Sequence, residues 1–279
     1  MVFLDYLKIL LVGFILLLPF LYESSQYFKY YFKFALYYLL VGYVSLVMIP
    51  VFLFKPRNVH NLLLATAICR YISPLIGVQW VLRGKEVLEK ENACIIVCNH
   101  QSSIDVLGMF DIWHIMRRCT AIAKHELLYA FPFGPAAWLG GLVFVDKSNA
   151  SRARYQVNVA AEEAKKDNIK LWVYPEGKRN DTGKIHEFKK GAFHMALHAQ
   201  LPIVPVVFSH FYFLDGYRKR FNSGKVIVTV LPPISTEGLP ISKATDLAAE
   251  TKLAMEKVFY STSEEVKRNV NWNSSNKQN

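Results

Sequence analysis

The chain has 279 residues, a formal net charge of +11, and a composition that is 52% hydrophobic but only 20% charged. This composition excludes a disordered polar chain, and its charged residues exclude a bundle made only of membrane-spanning helices. Because the hydrophobic excess is concentrated in the uncharged intervals 9–22 and 34–54, we expect a membrane-attached globular protein.

The first 57 residues are predicted to form membrane-anchoring helices. Interval 34–54 has 21 residues, close to the ~20 that cross a hydrocarbon core, and is predicted to span the membrane. Interval 1–22 is charged near its start, so its uncharged part, residues 9–22, is shorter. It fits a signal anchor, the first half of a helical hairpin or a cleaved signal peptide, but it lacks the small-residue exit that cleavage requires.

Residues 58–82 contain a third apolar stretch, 61–80, which Arg70 and Pro74 interrupt. We expect an amphipathic helical segment lying at the membrane interface rather than a further span. Residues 83–262 are predicted to form the main domain, and residues 263–279 a polar tail that is disordered from 268 onwards.

The main domain alternates short apolar runs with amphipathic stretches. The predicted strands are Cys94–Cys98, Thr120–Ala123, Leu142–Asp146, Leu171–Tyr174, Ile203–Phe208 and Val226–Leu231. The predicted helices are Asp105–Arg117, Ser151–Lys166, Lys189–Ala199 and Ala244–Phe259. Several strands are continuously apolar, as in strands buried on both faces. The pattern therefore predicts an α/β fold with a mainly parallel sheet flanked by helices.

The positive charge suits anionic lipid headgroups or a phosphorylated substrate. A nucleic-acid partner is not expected, because the sequence has no helix-turn-helix, zinc-finger or RNP-like pattern. The four cysteines lack the spacing of a disulfide framework, so we expect reduced thiols and a domain that faces the cytosol.

The first motif with chemical potential is Asn-His-Gln-Ser-Ser-Ile-Asp, residues 99–105, directly after a predicted strand. His100 can act as a general base if Asp105 orients its ring. The two lie about 140° apart on one continuous helix, so the pairing requires a turn between them. The alternative is a turn histidine, with Asp105 merely complementing a helix N-terminus.

A second motif, Tyr-Pro-Glu-Gly-Lys-Arg, follows another apolar strand at residues 174–179. In a parallel sheet, Lys178 and Arg179 share an edge with His100, where Arg179 can bind phosphate and Glu176 can position Arg179. Gly177 allows a sharp turn or a close approach to a ligand. The alternative is a solvated basic turn.

Two weaker signals follow. A glycine-led strand ends in Asp146-Lys147 and can bring a further cation to the same edge, or can be only a strand end. Pro205 interrupts the last apolar strand, which suggests an edge strand or a bulge.

Cysteine and metal chemistry are less favoured. Cys98 and His100 lie ~6.6 Å apart on a strand face, so proton transfer between them requires a bend at Asn99. Cys94 and Cys98 are about 13 Å apart on a strand, too far to share a metal ion.

Taken in order, these motifs resemble the glycerolipid acyltransferase superfamily, and most closely its 1-acylglycerol-3-phosphate O-acyltransferases. The family's Phe-Pro-Glu-Gly-Thr-Arg block is similar to residues 174–179, and the Phe-Lys-Lys-Gly-Ala-Phe run at 188–193 also matches. The likeness covers roughly residues 55–240.

The resemblance implies that His100 is the general base, that Asp105 orients it, and that Glu176, Gly177 and Arg179 form the site for the acceptor's phosphate. This chain departs from the family at two positions. Lys178 replaces the usual threonine, and Lys147 stands where the family often has arginine. Both departures bear on the choice of acceptor.

The expected reaction transfers an acyl group from acyl-CoA, as co-substrate, to the sn-2 hydroxyl of lysophosphatidic acid, forming phosphatidic acid with no metal or bound cofactor. The alternatives are acylation of glycerol 3-phosphate or another lysophospholipid, and a non-catalytic, lipid-binding, membrane-remodelling protein. A hydrolase is not favoured, because the sequence has no Gly-x-Ser-x-Gly motif. Membrane lipids are expected partners, and the endoplasmic reticulum is the expected membrane.

Overall fold

The structure is a computed structural model that describes residues 2–146 and 148–275. The α-helices are α1 (Val2–Ser24), α2 (Gln26–Phe52), α3 (Val59–Cys69), α4 (Ile72–Leu75), α5 (Lys85–Glu89), α6 (Asp105–Met116), α7 (Phe133–Leu139), α8 (Ala150–Lys166), α9 (Gly191–Ala199) and α10 (Ala244–Ser275). The strands are β1 (Val78–Arg83), β2 (Cys94–Cys98), β3 (Cys119–Lys124), β4 (Val143–Val145), β5 (Lys170–Val173), β6 (Ile203–Phe208), β7 (Leu214–Asp215), β8 (Arg220–Phe221) and β9 (Gly224–Val230). Two short 3-10 helices, His125–Tyr129 and Ile241–Lys243, complete the described elements.

Seven strands form one sheet in the order β1-β9-β6-β2-β5-β3-β4. The five strands from β6 to β4 run parallel to one another, whereas β9 is antiparallel to β6 and β1 is parallel to β9. The prediction of a mainly parallel sheet flanked by helices is confirmed. The carboxyl ends of five strands therefore meet at one edge, the place where open α/β sheets bind ligands.

Helices cover both faces of the sheet. Along β2, Ile96 and its neighbours two residues away face the core beneath α2, α3, α6 and α7, whereas Ile95 and Val97 face the core beneath α8, α9 and α10. All five residues of β2 are buried. This two-sided burial explains why β2 is a continuous apolar run instead of an alternating one.

Strands β2 and β6 have the bounds that their apolar runs predict, and the other predicted elements of the main domain agree within two residues except the last helix. Helix α10 continues to Ser275, so the prediction of disorder from 268 onwards is wrong for the described part of the tail. The helix runs past Phe259, its predicted end, because the following turns pack on the domain. Val266 is buried, the Ser263 hydroxyl accepts a hydrogen bond from the His210 amide, and Glu265 forms a two-point ion pair with Arg83.

Residues 58–82, predicted to be a helical segment at the membrane interface, are helical only in their first part. Helices α3 and α4 occupy this part, but the segment ends in strand β1, which pairs with β9 in register from Val78 with Gly224 to Arg83 with Thr229. Only the partner strand, ~146 residues later in the chain, makes this mixed sequence extended.

Pro205 lies in an interior strand, so the expectation of an edge is wrong. The alternative of a bulge agrees with the pairing. Val206 pairs with Val230, but Ile203 pairs with Ile234, so one strand has an extra residue between these pairs. The Pro205 carbonyl still accepts a hydrogen bond from the Leu231 amide at 2.9 Å. The missing N–H of proline therefore falls where the ladder is already irregular.

Helix α2 is long and apolar enough to cross a membrane, with a mean hydropathy of 2.0 over its most apolar window. It begins at Gln26, earlier than the apolar interval predicts, because Ser25 caps it by accepting a hydrogen bond from the Phe28 amide. A stripe of its side chains is buried against the α/β domain; among its members are Tyr37, Val41, Val44, Met48 and Phe52. Its other faces carry exposed aromatic and aliphatic side chains.

Candidate active site

His100 and Asp105 form a close pair at the carboxyl end of β2. The His100 Nδ1 atom lies 2.6 Å from Asp105 Oδ2. The chain turns between them, as the pairing requires, because β2 ends at Cys98 and α6 begins only at Asp105. The same carboxylate oxygen accepts hydrogen bonds from the Gln101 and Ser102 amides, at 2.7 and 3.1 Å. One buried oxygen therefore closes the turn and holds the imidazole.

The Asp105 carboxyl is completely buried. Burial raises its pKa, and the hydrogen bond from His100 and the two amide hydrogen bonds oppose that rise. Its second oxygen, Oδ1, has no hydrogen-bond partner among the described residues. His100 is thus the side chain that connects this buried carboxylate to the protein surface.

The His100 side chain is 19% exposed, and its ring stacks on Tyr174, with centroids 4.1 Å apart and planes 20° from parallel. Because Nδ1 faces Asp105, Nε2 is the ring nitrogen available to a substrate. Within the described ranges, Nε2 makes no hydrogen bond to the protein. A ring fixed on one face and at one nitrogen has the geometry of a general base.

Glu176 has a different position from the one the motif suggests. Its side chain is buried, Oε1 accepts a hydrogen bond from the His100 amide at 2.7 Å, and Oε2 accepts one from the His186 amide at 2.9 Å. The interpretation that Glu176 positions Arg179 is wrong, because its two oxygens bind backbone amides on either side. Burial raises the pKa of Glu176, and these amides oppose the rise. Glu176 therefore connects the loop after β2 to the loop after β5.

The rest of the second motif lies where parallel pairing of β2 and β5 predicts. The Asn180 amide donates to the His100 carbonyl at 2.8 Å, so the two loops are directly joined. Gly177 has φ +72, and a Cβ there would lie 2.9 Å from Lys189 Cε, so this turn requires glycine. Lys178 and Arg179 are exposed. In the part of the chain that the structure describes, neither side chain forms an ion pair.

Lys147 lies outside the described residues. Its neighbour Asp146 follows β4, three strand positions from β2 and thus about 14 Å across the sheet. The Asp146 carboxylate accepts a hydrogen bond from the Ser148 amide, which closes a local turn. Lys124, the exposed last residue of β3, lies at the same edge two strand positions from β2, and motif reasoning did not single it out.

A cleft of about 490 Å³ lies beside the pair, between α2 and the loops at the carboxyl edge. Its walls are four aromatic residues of α2, residues 101–103, the Arg179 and Asp181 side chains, and residues of the 210–216 loop. Sequence reasoning missed Asp181 and His210. The sequence signal that could have found them is that each is a polar residue following an apolar strand that ends at this edge. Burial lowers the pKa of His210 and thereby favours its neutral form.

Cysteine catalysis is not supported by the arrangement. Cys98 is completely buried, and burial raises the pKa of its thiol well above the ordinary value. All four cysteines are buried and free. No group of three or more metal-ligating side chains occurs within the described ranges.

Comparison with known proteins identifies the class of the domain. Residues 79–209 match the acyltransferase family, an interval that runs from β1 to the end of β6 and includes both loops. The crystal structure of the 1-acyl-sn-glycerophosphate (LPA) acyltransferase PlsC from Thermotoga maritima has the same fold, with a TM-score of 0.65 and 22% identity, covering 87% of this chain and 95% of that one. The fold and its loops are those of an acyltransferase domain.

Relatives with higher identity narrow this class. The human 1-acyl-sn-glycerol-3-phosphate acyltransferase alpha is 38% identical over 244 residues, which is 87% of this chain and 86% of the relative. The human beta form is 38% identical over 248 residues, covering 88% of each chain. The Caenorhabditis elegans protein acl-2, named a putative member, is 40% identical over 185 residues, 64% of each chain. The chain belongs to the 1-acyl-sn-glycerol-3-phosphate acyltransferase family.

Proposed function

We propose that this protein transfers a fatty acyl group from acyl-CoA to the sn-2 hydroxyl of 1-acylglycerol 3-phosphate, forming phosphatidic acid. The observation that carries the proposal is the His100–Asp105 pair with its free ring nitrogen. The turn between these two residues, 101–103, lines a cleft that Arg179 also lines. The names of the relatives support this acceptor.

The proposed reaction is a direct transfer. His100 Nε2 removes the proton from the sn-2 hydroxyl as its oxygen attacks the thioester carbonyl carbon of acyl-CoA. The carbon–sulfur bond then breaks, and His100 returns the proton to the departing CoA thiolate. Asp105 stabilises the imidazolium that exists between these two transfers. No acyl-enzyme and no metal ion or bound cofactor is required.

Binding of the acceptor rests on charge. Arg179 offers a planar fork that fits a phosphate, and Lys178 adds a point charge beside it. Glu176 and Gly177 shape the turn that presents these cations. Holding the phosphate fixes the hydroxyl near His100, and such positioning supplies a large part of the rate gain in bimolecular reactions.

The test is acyl transfer from labelled oleoyl-CoA in membranes that contain the full chain. Lysophosphatidic acid, glycerol 3-phosphate and a panel of other lysophospholipids serve as acceptors. The proposal expects phosphatidic acid from lysophosphatidic acid at the highest rate. A clear preference for another acceptor would support acyl transfer but show that lysophosphatidic acid is not the substrate. The absence of transfer to any acceptor would contradict the proposal.

Arg179→Ala is expected to raise the KM for lysophosphatidic acid roughly ten- to a hundredfold, the value of a charge-assisted hydrogen bond, and to leave the KM for oleoyl-CoA within twofold. Arg152→Ala, an exposed arginine on α8 outside the cleft, is the matched control. An equal rise in both KM values, or no rise for the lipid, would contradict a role for Arg179 in binding the acceptor.

We also propose that the protein resides in the endoplasmic reticulum membrane with the α/β domain facing the cytosol, since acyl-CoA is a cytosolic substrate. Three sequons begin at Asn149, Asn180 and Asn273. Asn180 is buried with its side chain hydrogen-bonded to Lys184 and Thr182, so the exposed Asn149 is the informative position. Expression in eukaryotic cells is expected to give no glycan at Asn149. A glycosidase-sensitive mass shift that Asn149→Gln abolishes would show that the domain faces the lumen and not the cytosol.

A further inference from the structure

The turn between His100 and Asp105 is held at Ser103 by helix α2. The Tyr37 hydroxyl donates to the Ser103 carbonyl at 3.1 Å, and the Tyr38 hydroxyl donates to Ser103 Oγ at 3.0 Å. These contacts join residues 65 and 66 positions apart in the chain. Two consecutive tyrosines of the candidate membrane helix therefore reach the loop that carries the predicted base.

Other parts of this loop are held by the α/β domain itself. Glu176 and the Asn180 amide bind the backbone of His100, and the Gln101 side chain binds the carbonyls of Phe208 and Ser209. Ser103 differs, because both of its hydrogen bonds to described side chains come from α2. The side of the loop nearest Asp105 thus depends on an element outside the sheet.

Helix α2 is fixed firmly enough to act as a support. Tyr37 is only 4% exposed, and it belongs to the buried stripe that packs on the α/β domain. Gly42 lies close to Pro132, where a Cβ would be 3.9 Å from the proline ring. The neighbouring Tyr38 is about half exposed and lines the cleft.

We propose that Tyr37 and Tyr38 are positioning residues, through which the seating of α2 sets the geometry of the His100–Asp105 pair. The kinetic test of this inference rests on the proposed acyl transfer, whereas the exchange test described below does not. On this view α2 is part of the catalytic apparatus and not only an anchor, and the hydrogen bonds to Ser103 matter for turnover more than for substrate binding.

The test is a double-mutant cycle in the full chain, in membranes, with Tyr38→Phe, Ser103→Ala and the combined variant. Each single change is expected to lower kcat about tenfold, since small misplacements of a catalytic group are costly, with both KM values within twofold. The combined variant is expected to fall no further than either single one. Tyr37→Phe, which preserves the buried ring, is expected to lower kcat similarly. Tyr43→Phe, an exposed tyrosine of the same helix, is the matched control.

Hydrogen–deuterium exchange of the 99–108 peptide gives a readout that needs no activity. Tyr37→Phe and Tyr38→Phe are each expected to speed exchange in this peptide about fivefold, the effect of one neutral hydrogen bond, and Tyr43→Phe is expected to leave it unchanged. Exchange identical to wild type in both variants would overturn the proposal. Losses in kcat that multiply in the cycle, or effects confined to KM, would also overturn it. If the wild type acylates no acceptor, the proposed function fails and the exchange result alone decides this inference.

Discussion

Replacing His100 with alanine is expected to reduce kcat for acyl transfer by about a thousandfold, in the middle of the range for loss of a general base. The reason is that His100 Nε2 is the free nitrogen of a ring held by Asp105 and Tyr174. The measurement is the rate of phosphatidic acid formation at saturating oleoyl-CoA and lysophosphatidic acid, with the amount of membrane-inserted protein matched to wild type.

Two additions make this result specific to the base. His198→Ala removes an exposed histidine of α9 and is expected to leave kcat within twofold of wild type. Free imidazole is expected to restore part of the activity of His100→Ala, because the space left over Tyr174 opens to the surface. Undiminished activity in His100→Ala would show that another group removes the proton.

Replacing Asp105 with asparagine is expected to lower kcat by about a hundred- to ten-thousandfold, since the amide is uncharged and cannot stabilise the imidazolium. The Gln101 and Ser102 amides can still bind the amide oxygen, so the turn is expected to persist. Asp111→Asn, a half-buried carboxylate on the same helix, is the control. Activity in Asp105→Asn near that of the control would exclude the pairing as a catalytic feature.

The same variant predicts a pH dependence of stability. Burial raises the folded-state pKa of Asp105 above its ordinary value near 3.8, so its contribution to stability is fully present below that value and is lost as pH rises through the folded-state pKa. Asp105→Asn lacks this titration. Thermal unfolding is therefore expected to show the wild type losing stability relative to the variant as pH rises from about 4. The opposite trend would mean that the partners of the carboxylate outweigh its burial.

Local sequence was enough to predict much of the fold. The apolar runs of β2 and β6 define these strands to the residue, because strands buried on both faces require continuous hydrophobicity. The two loops that follow β2 and β5 were also predicted to lie at one edge, since parallel strands end at the same edge of a sheet. That β2 and β5 are neighbours, so that the loops meet, is seen only in the structure. The likeness of the motifs to a known family predicted the class of enzyme, which the relatives confirm.

Tertiary structure decided the remainder. Strand β1 pairs with β9, which lies far away in the chain, and α10 packs on the domain beyond its predicted end through Ser263 and Glu265, which contact His210 and Arg83. The role of Glu176 as a link between two backbone amides has no local signature, because its partners lie 76 and 10 residues away. The contacts of Tyr37 and Tyr38 with Ser103 also have no local signature, because the apolar segment around these tyrosines predicts only a membrane anchor. Apolar periodicity reports which faces are buried, whereas hydrogen bonds between distant segments depend on how the whole chain packs.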